Sequence, residues 1–173
     1  MTTGLEWLHL KRLPALRIGI GFDAHEFKKG RRLVLGGVVL PGRTGLAGHS
    51  DADVLLHAIM DAMLGAAALP DIGTLFPDRD SRFAGAASTG LLGQVGARVR
   101  KTGYRVANVD CVLVCDKPRL APLAPAIRTS IARLLGLLPT DVGLKAKTTE
   151  GTWLAMPQKS IAAIATVLLR RVR

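Results

Sequence analysis

Two periods of apolar residues run along this chain, and their alternation lays out its elements. Every second residue is apolar across Leu16–Phe22, which predicts a first strand, and Leu33–Val39 predicts a second, entered through the basic turn Lys28-Lys29-Gly30. Pro41-Gly42 and Thr44-Gly45 mark a loop. The period then lengthens. Val54, Leu55, Ala58, Ile59, Ala62, Met63 and Ala66 fall on one face of a helix running from about Ser50 to Ala68. Ser50 is placed to cap it, with Asp53 three residues on as in a capping box, and Pro70 and Gly73 stop it. Ser88–Thr102 predicts a second helix, weakened by Gly93 and Gly96. Tyr104–Cys115 predicts a strand, and Pro118, Pro122 and Pro125 exclude regular structure immediately after it. A third helix follows over Ala126–Leu137, then a strand over Val142–Thr148 and a closing helix or strand over Ser160–Arg170. This order suggests one layer of strands with helices packed over it.

Composition narrows the class. The 173 residues suit one domain, and 49% hydrophobic content excludes a disordered chain. Aromatics are only 4%, so the core must be aliphatic. No apolar run reaches the roughly 18 residues of a membrane span. Residues 1–15 read as a poorly ordered extension rather than a signal peptide, because Glu6 interrupts the apolar stretch and no small-residue cleavage site follows. A cytoplasmic location is the expectation. The formal charge of +11 suits a polyanionic small substrate, a nucleic acid or simply a basic proteome, but little aromatic residue lies among the cations to stack on bases, so no nucleic-acid partner is expected. Cys111 and Cys115 lie four apart on one strand face, about 13 Å from each other in regular strand, and read as buried free thiols.

The candidate chemistry gathers in four places. Asp53, His57 and Asp61 form an acid–imidazole–acid stripe at helical spacing. It reads either as a solvated polar face or as a metal ligand, His57, with Asp61 orienting its other ring nitrogen. Asp23 and His25 are two apart at a strand end and so point to one side. With His57 they supply two imidazoles and one carboxylate. Three protein donors with a fourth position open is the pattern of catalytic zinc. Asp71-Ile72-Gly73 leads into Phe76-Pro77-Asp78-Arg79-Asp80, either a polar turn or a binding wall. Lys145-Ala146-Lys147-Thr148-Thr149-Glu150 brings hydroxyls suited to phosphate oxygens and a carboxylate suited to a hard cation such as Mg²⁺.

In order along the chain stand Asp23-Ala24-His25, His49-Ser50-Asp51-Ala52-Asp53, His57-Ala58 with Asp61-Ala62, Asp71-Ile72-Gly73, Phe76-Pro77-Asp78-Arg79-Asp80 and Thr148-Thr149-Glu150. From about Leu16 to Val167 this set resembles the 2-C-methyl-D-erythritol 2,4-cyclodiphosphate synthase family. The resemblance implies a single α+β domain over residues 16–173, with a mixed sheet on one side and helices on the other. It implies sheets packed around the threefold axis of a homotrimer, with active sites at subunit interfaces. It also implies cyclisation of 4-diphosphocytidyl-2-C-methyl-D-erythritol 2-phosphate with release of CMP, a phosphorus–oxygen lyase reaction of non-mevalonate isoprenoid synthesis.

Residue by residue, Asp23, His25 and His57 resemble the ligands of one catalytic Zn²⁺ per subunit, and Glu150 the ligand of Mg²⁺ or Mn²⁺ on the substrate diphosphate. Asp23 and His25 also face the substrate. His49 and Thr148 resemble the residues that stabilise developing charge, and His49 with Ser50 the loop that meets the phosphates and erythritol. Asp71, Gly73, Phe76 and Asp80 resemble the erythritol-side pocket. Cys115, Arg119, Leu120 and Ala121 occupy cytidine-pocket positions, where the family usually has lysine in place of Arg119, and Thr149 stands beside Thr148 on the substrate side. The family's Gly-Phe and Gly-Arg-Gly-Glu-Gly run after Glu150 is replaced by Gly151–Ser160, with Pro157 where an axial arginine is usual, and Lys147 replaces a small hydroxyl residue. Three other readings fit parts of the pattern: a diverged zinc enzyme acting on another cytidine diphosphate ester, a metal-dependent phosphohydrolase, and a non-catalytic metal or nucleic-acid binding module.

Overall fold

In the computed structural model the described residues are 15–42, 44–151 and 159–172. The predicted extension and the divergent stretch around Pro157 therefore lie almost wholly outside them. Along the chain come β1 (Leu16–Lys29), β2 (Leu33–Leu35), β3 (Val38–Leu40), β4 (Thr44–Leu46), α1 (Val54–Ala66), α2 (Ile72–Leu75), α3 (Ser88–Lys101), β5 (Tyr104–Val114), α4 (Ala124–Leu135), β6 (Val142–Lys147) and β7 (Ser160–Arg171). Among the described residues five strands form one sheet in the order β4-β1-β7-β5-β6, with β2 and β3 a separate hairpin. β7 is antiparallel to both β1 and β5, while β5 and β6 run parallel, so the sheet is mixed. α1 lies along β1 and β7, α4 lies against β6, and α3 leans on α1. This is the single α+β domain that the resemblance implies.

The differences from expectation have local causes. β1 runs seven residues past Phe22, because β7 pairs with it as far as Glu26 and β4 then pairs with Phe27–Lys29. The single strand predicted over Leu33–Val39 is a hairpin, since Gly36 and Gly37 take φ of 59° and 77° and turn the chain. The stretch read as loop at Thr44–Gly45 instead forms β4 on the sheet edge. α4 begins two residues early, with Pro125 in its first turn, where a missing N–H costs nothing. The ambiguous last segment is β7.

Two glycines let α1 reach the sheet. A Cβ at Gly19 would lie 2.0 Å from the Ala62 carbonyl oxygen, and one at Gly21 would lie 2.0 Å from that of Ala58. Helix and strand therefore touch through backbone, with Ala58, Ala62 and Ala66 as the facing helix residues. The other face of β1 is a row of apolar side chains left uncovered. Leu16, Ile18, Ile20 and Phe22 are 57%, 72%, 71% and 62% exposed.

Candidate active site

The close contact between β1 and α1 carries Asp23 and His25 to the side where His57 projects. Asp23 Oδ2 lies 2.9 Å from both His25 Nε2 and His57 Nδ1, and the two nitrogens are 3.3 Å apart. Donors bonded at about 2.0–2.1 Å to one tetrahedral zinc ion stand roughly 3.3 Å from each other, so the three atoms are arranged to hold a single ion. Among the described residues this is the one group of three or more His, Cys, Asp or Glu placed to do so. Burial pushes the Asp23 carboxyl up, but the hydrogen bonds and charges of both histidines outweigh it and hold it well below the usual carboxylate range. Burial likewise opposes protonation of His25, and the Asp23 carboxylate overcomes that and raises it.

A cavity of ≈ 220 Å³ opens on these donors, and His49, Ser50, Gly73 and Phe76 are among its lining. Phe76 is buried edge-on against Phe83, with ring centroids 5.2 Å apart, and forms a rigid wall. Arg31, from the basic turn after β1, reaches the carbonyls of Gly48 and Ser50 and pins the loop that carries His49. Sequence reasoning gave Arg31 no role, because its carbonyl partners are nineteen or fewer residues away along a path that no local pattern reveals.

The acid–imidazole–acid stripe resolves into three unlike jobs. Asp53 is fully buried and accepts from the amides of Gly36, Gly37 and Leu56. It is the cap of α1, in place of Ser50, and it ties the β2–β3 turn to the helix. Burial pushes its carboxyl up to about 6, against the pull of those three amides. Asp61 accepts from the Ile72 amide and shows no bond to His57, so it holds α2 rather than orienting the imidazole. The far side of His57 faces hydroxyls instead, with Nε2 3.0 Å from Ser88 Oγ and 3.4 Å from Ser50 Oγ.

Asp71 and Asp80 stand off from the cavity. Asp71 caps the short α2 through the Thr74 amide, and Asp80 pairs with Arg82. The remaining residues named from sequence form a second group. The Cys115 amide donates to the Lys147 carbonyl, Thr149 donates through its amide and hydroxyl to the Asp116 carboxylate, and the Thr148 hydroxyl donates to Glu150. Leu120 is buried in the core, while Arg119 and Ala121 are exposed. None of Cys115, Arg119, Leu120, Ala121, Thr148, Thr149 or Glu150 lines the cavity beside the donors. Cys111 and Cys115 are free and buried, and burial pushes their thiols up to about 12 and about 11, which makes them poor metal ligands.

Fold and site together define an α+β domain with a half-buried Asp–His–His metal-type donor set opening on a cavity. The sequence profile of the YgbB family matches residues 16–170, and the chain belongs to that family. A 2-C-methyl-D-erythritol 2,4-cyclodiphosphate synthase of Syntrophomonas wolfei subsp. wolfei is 51% identical over 90% of this chain and 99% of that protein. Among solved structures, the bifunctional IspDF of Campylobacter jejuni superposes with a TM-score of 0.86 and 39% identity, covering 90% of this chain and 42% of the longer one. The Plasmodium falciparum IspF in complex with CDP gives a TM-score of 0.79 and 30% identity, covering 93% of this chain and 99% of the other.

Proposed function

We infer that the chain closes 4-diphosphocytidyl-2-C-methyl-D-erythritol 2-phosphate to 2-C-methyl-D-erythritol 2,4-cyclodiphosphate and releases CMP. The observation that carries this reading is the convergence of Asp23, His25 and His57 beside a walled cavity. A relative named for that product at 51% identity, and a similar structure complexed with CDP, support it. Zn²⁺ at the three donors would supply Lewis-acid charge neutralisation at a phosphate oxygen, with Mg²⁺ or Mn²⁺ on the diphosphate met by Glu150.

The residues do the rest by alignment. The attacking 2-phosphate is already ionised, so no general base is needed, and holding nucleophile and β-phosphorus in line contributes most. His49 at the cavity mouth and Thr148 at the end of β6 donate to the developing charge. Ser50, Gly73 and Phe76 hold the erythritol part, with Asp71 and Asp80 fixing that wall from behind. Cys115, Arg119, Leu120 and Ala121 take the cytidine, and Thr149 fixes their loop through Asp116.

That this second group does not line the cavity supports a full site made by two chains, each giving one half. The uncovered apolar row on β1, with Ile164 of β7 beside it, supports a homotrimer packed sheet to sheet around a threefold axis. No described helix is long and apolar enough to cross a membrane, and a cytoplasmic enzyme of isoprenoid precursor synthesis is the reading we adopt. Phosphorus NMR of the product formed from the cytidylyl substrate tests it. A cyclic diphosphate with equimolar CMP is the expected result, and an acyclic phosphate or no CMP overturns it.

A further inference from the structure

We propose that Asp51 and Ser88 form a relay that fixes which nitrogen of His57 is free to bind metal, with Ser88 the positioning residue in contact with the imidazole. The inference rests on the reading of His57 as a metal ligand. His57 presents Nδ1 to Asp23 and His25, so a metal there requires the ring proton on Nε2. Nε2 lies 3.0 Å from Ser88 Oγ. That oxygen can accept from Nε2 only if its own proton points elsewhere, and Asp51 ensures this. The Ser88 hydroxyl donates to Asp51 Oδ1 at 2.5 Å, and the Ser88 amide donates to Asp51 Oδ2 at 3.1 Å. With its hydrogen committed to a carboxylate, Ser88 is an acceptor toward His57. The second hydroxyl near Nε2, that of Ser50, is 3.4 Å away and already accepts the Ala52 amide.

The setting makes the relay rigid. Ser88 is fully buried, although a serine at the start of a helix ordinarily faces water and caps it. Here it opens α3 while its side chain turns inward, and the Asp51 carboxylate sits at that helix start, where amide dipoles favour a negative charge. Asp51 also receives the Asp53 amide, and the Asp51 amide donates to the Ala86 carbonyl. The loop before α1 and the start of α3 are thus locked together around one imidazole. Partners behind a metal-bound histidine commonly change metal affinity by about 10- to 100-fold.

The test uses the full chain with zinc as the probe. Zinc affinity is read by competition with a chromophoric chelator, and the His57 tautomer in the zinc-free protein by ¹⁵N chemical shifts. Ser88→Ala is expected to weaken zinc binding by about 10- to 100-fold and to move the His57 shifts away from an Nε2–H tautomer. Asp51→Asn, which keeps the shape, is expected to do the same more weakly and to add nothing in the Ser88→Ala background, as a residue acting through another must. Wild-type affinity with an unchanged tautomer in both variants overturns the relay. If His57→Ala itself binds zinc as the wild type does, the ligand assignment falls instead. Should Ser88→Ala fail to fold, Asp51→Asn alone decides between these outcomes.

Discussion

The donor cluster between β1 and α1 and the hydroxyl-rich cluster at the end of β6 are built in opposite ways. The first is enclosed by the chain itself. Its three donors are half-buried, its helix touches its strand through backbone, and its loop is pinned by Arg31. The second is turned outward. Thr148, Glu150 and Arg119 are exposed, and the hydrogen bonds found there run within the cluster. A donor set able to hold a metal must be fixed to a fraction of an ångström, which close helix–strand packing provides. On the proposed function, the outward cluster meets a flexible, charged substrate and can stay open until a second surface completes it. The difference teaches that one fold can carry an enclosed donor cluster and an open, outward-facing polar one side by side.

That contrast can be broken from the enclosed side first. On the proposed function, His57→Ala is expected to remove zinc and nearly all CMP release while the proposed trimer persists, as metal analysis with a product assay and sedimentation would read. Gly21→Ala comes next. Its methyl would meet the Ala58 carbonyl at 2.0 Å, so α1 must shift off the sheet, and we expect a loss of about 3 kcal/mol in urea unfolding together with weaker zinc binding.

Asp53 gives a smaller, pH-dependent effect. Burial lifts its carboxyl from 3.8 to about 6, so the folded chain holds a proton that the unfolded chain has released. Stability from this group is greatest below the unfolded value and is lost as pH rises through the folded one. Between about pH 4.5 and about pH 7 the wild type should lose about 2 kcal/mol relative to Asp53→Asn. A constant difference between the two urea curves would count against it.

Glu150→Gln probes the outward region and should leave zinc affinity unchanged. Its effect is confined to the response of turnover to Mg²⁺, which flattens; a zinc loss in this variant would mean that the two regions are coupled within one chain.

Much of the enclosed region was legible in the chain. Asp23 and His25 share a side because strands alternate, and the helix that carries His57 follows from its apolar face. What could not be read was who stands behind each group. Asp61 has the right helical spacing to reach His57, yet it serves α2, because the chain after Pro70 folds back onto it. Ser88 lies thirty-one residues from His57 and carries no local mark of its role. The Gly36-Gly37 pair was there to be read as a hairpin, and the apolar run around it hid the turn.

By itself the amino-acid order determined the periodicities, the places where glycine allows a turn or a close approach, and the residue types able to bind metal. These are local properties, set by backbone geometry over a few residues. Tertiary structure decided which polar partner each buried group found, and which apolar strand face remained uncovered. Those outcomes depend on segments far apart in the chain meeting at fixed distances, and a hydrogen bond is made or lost within less than an ångström.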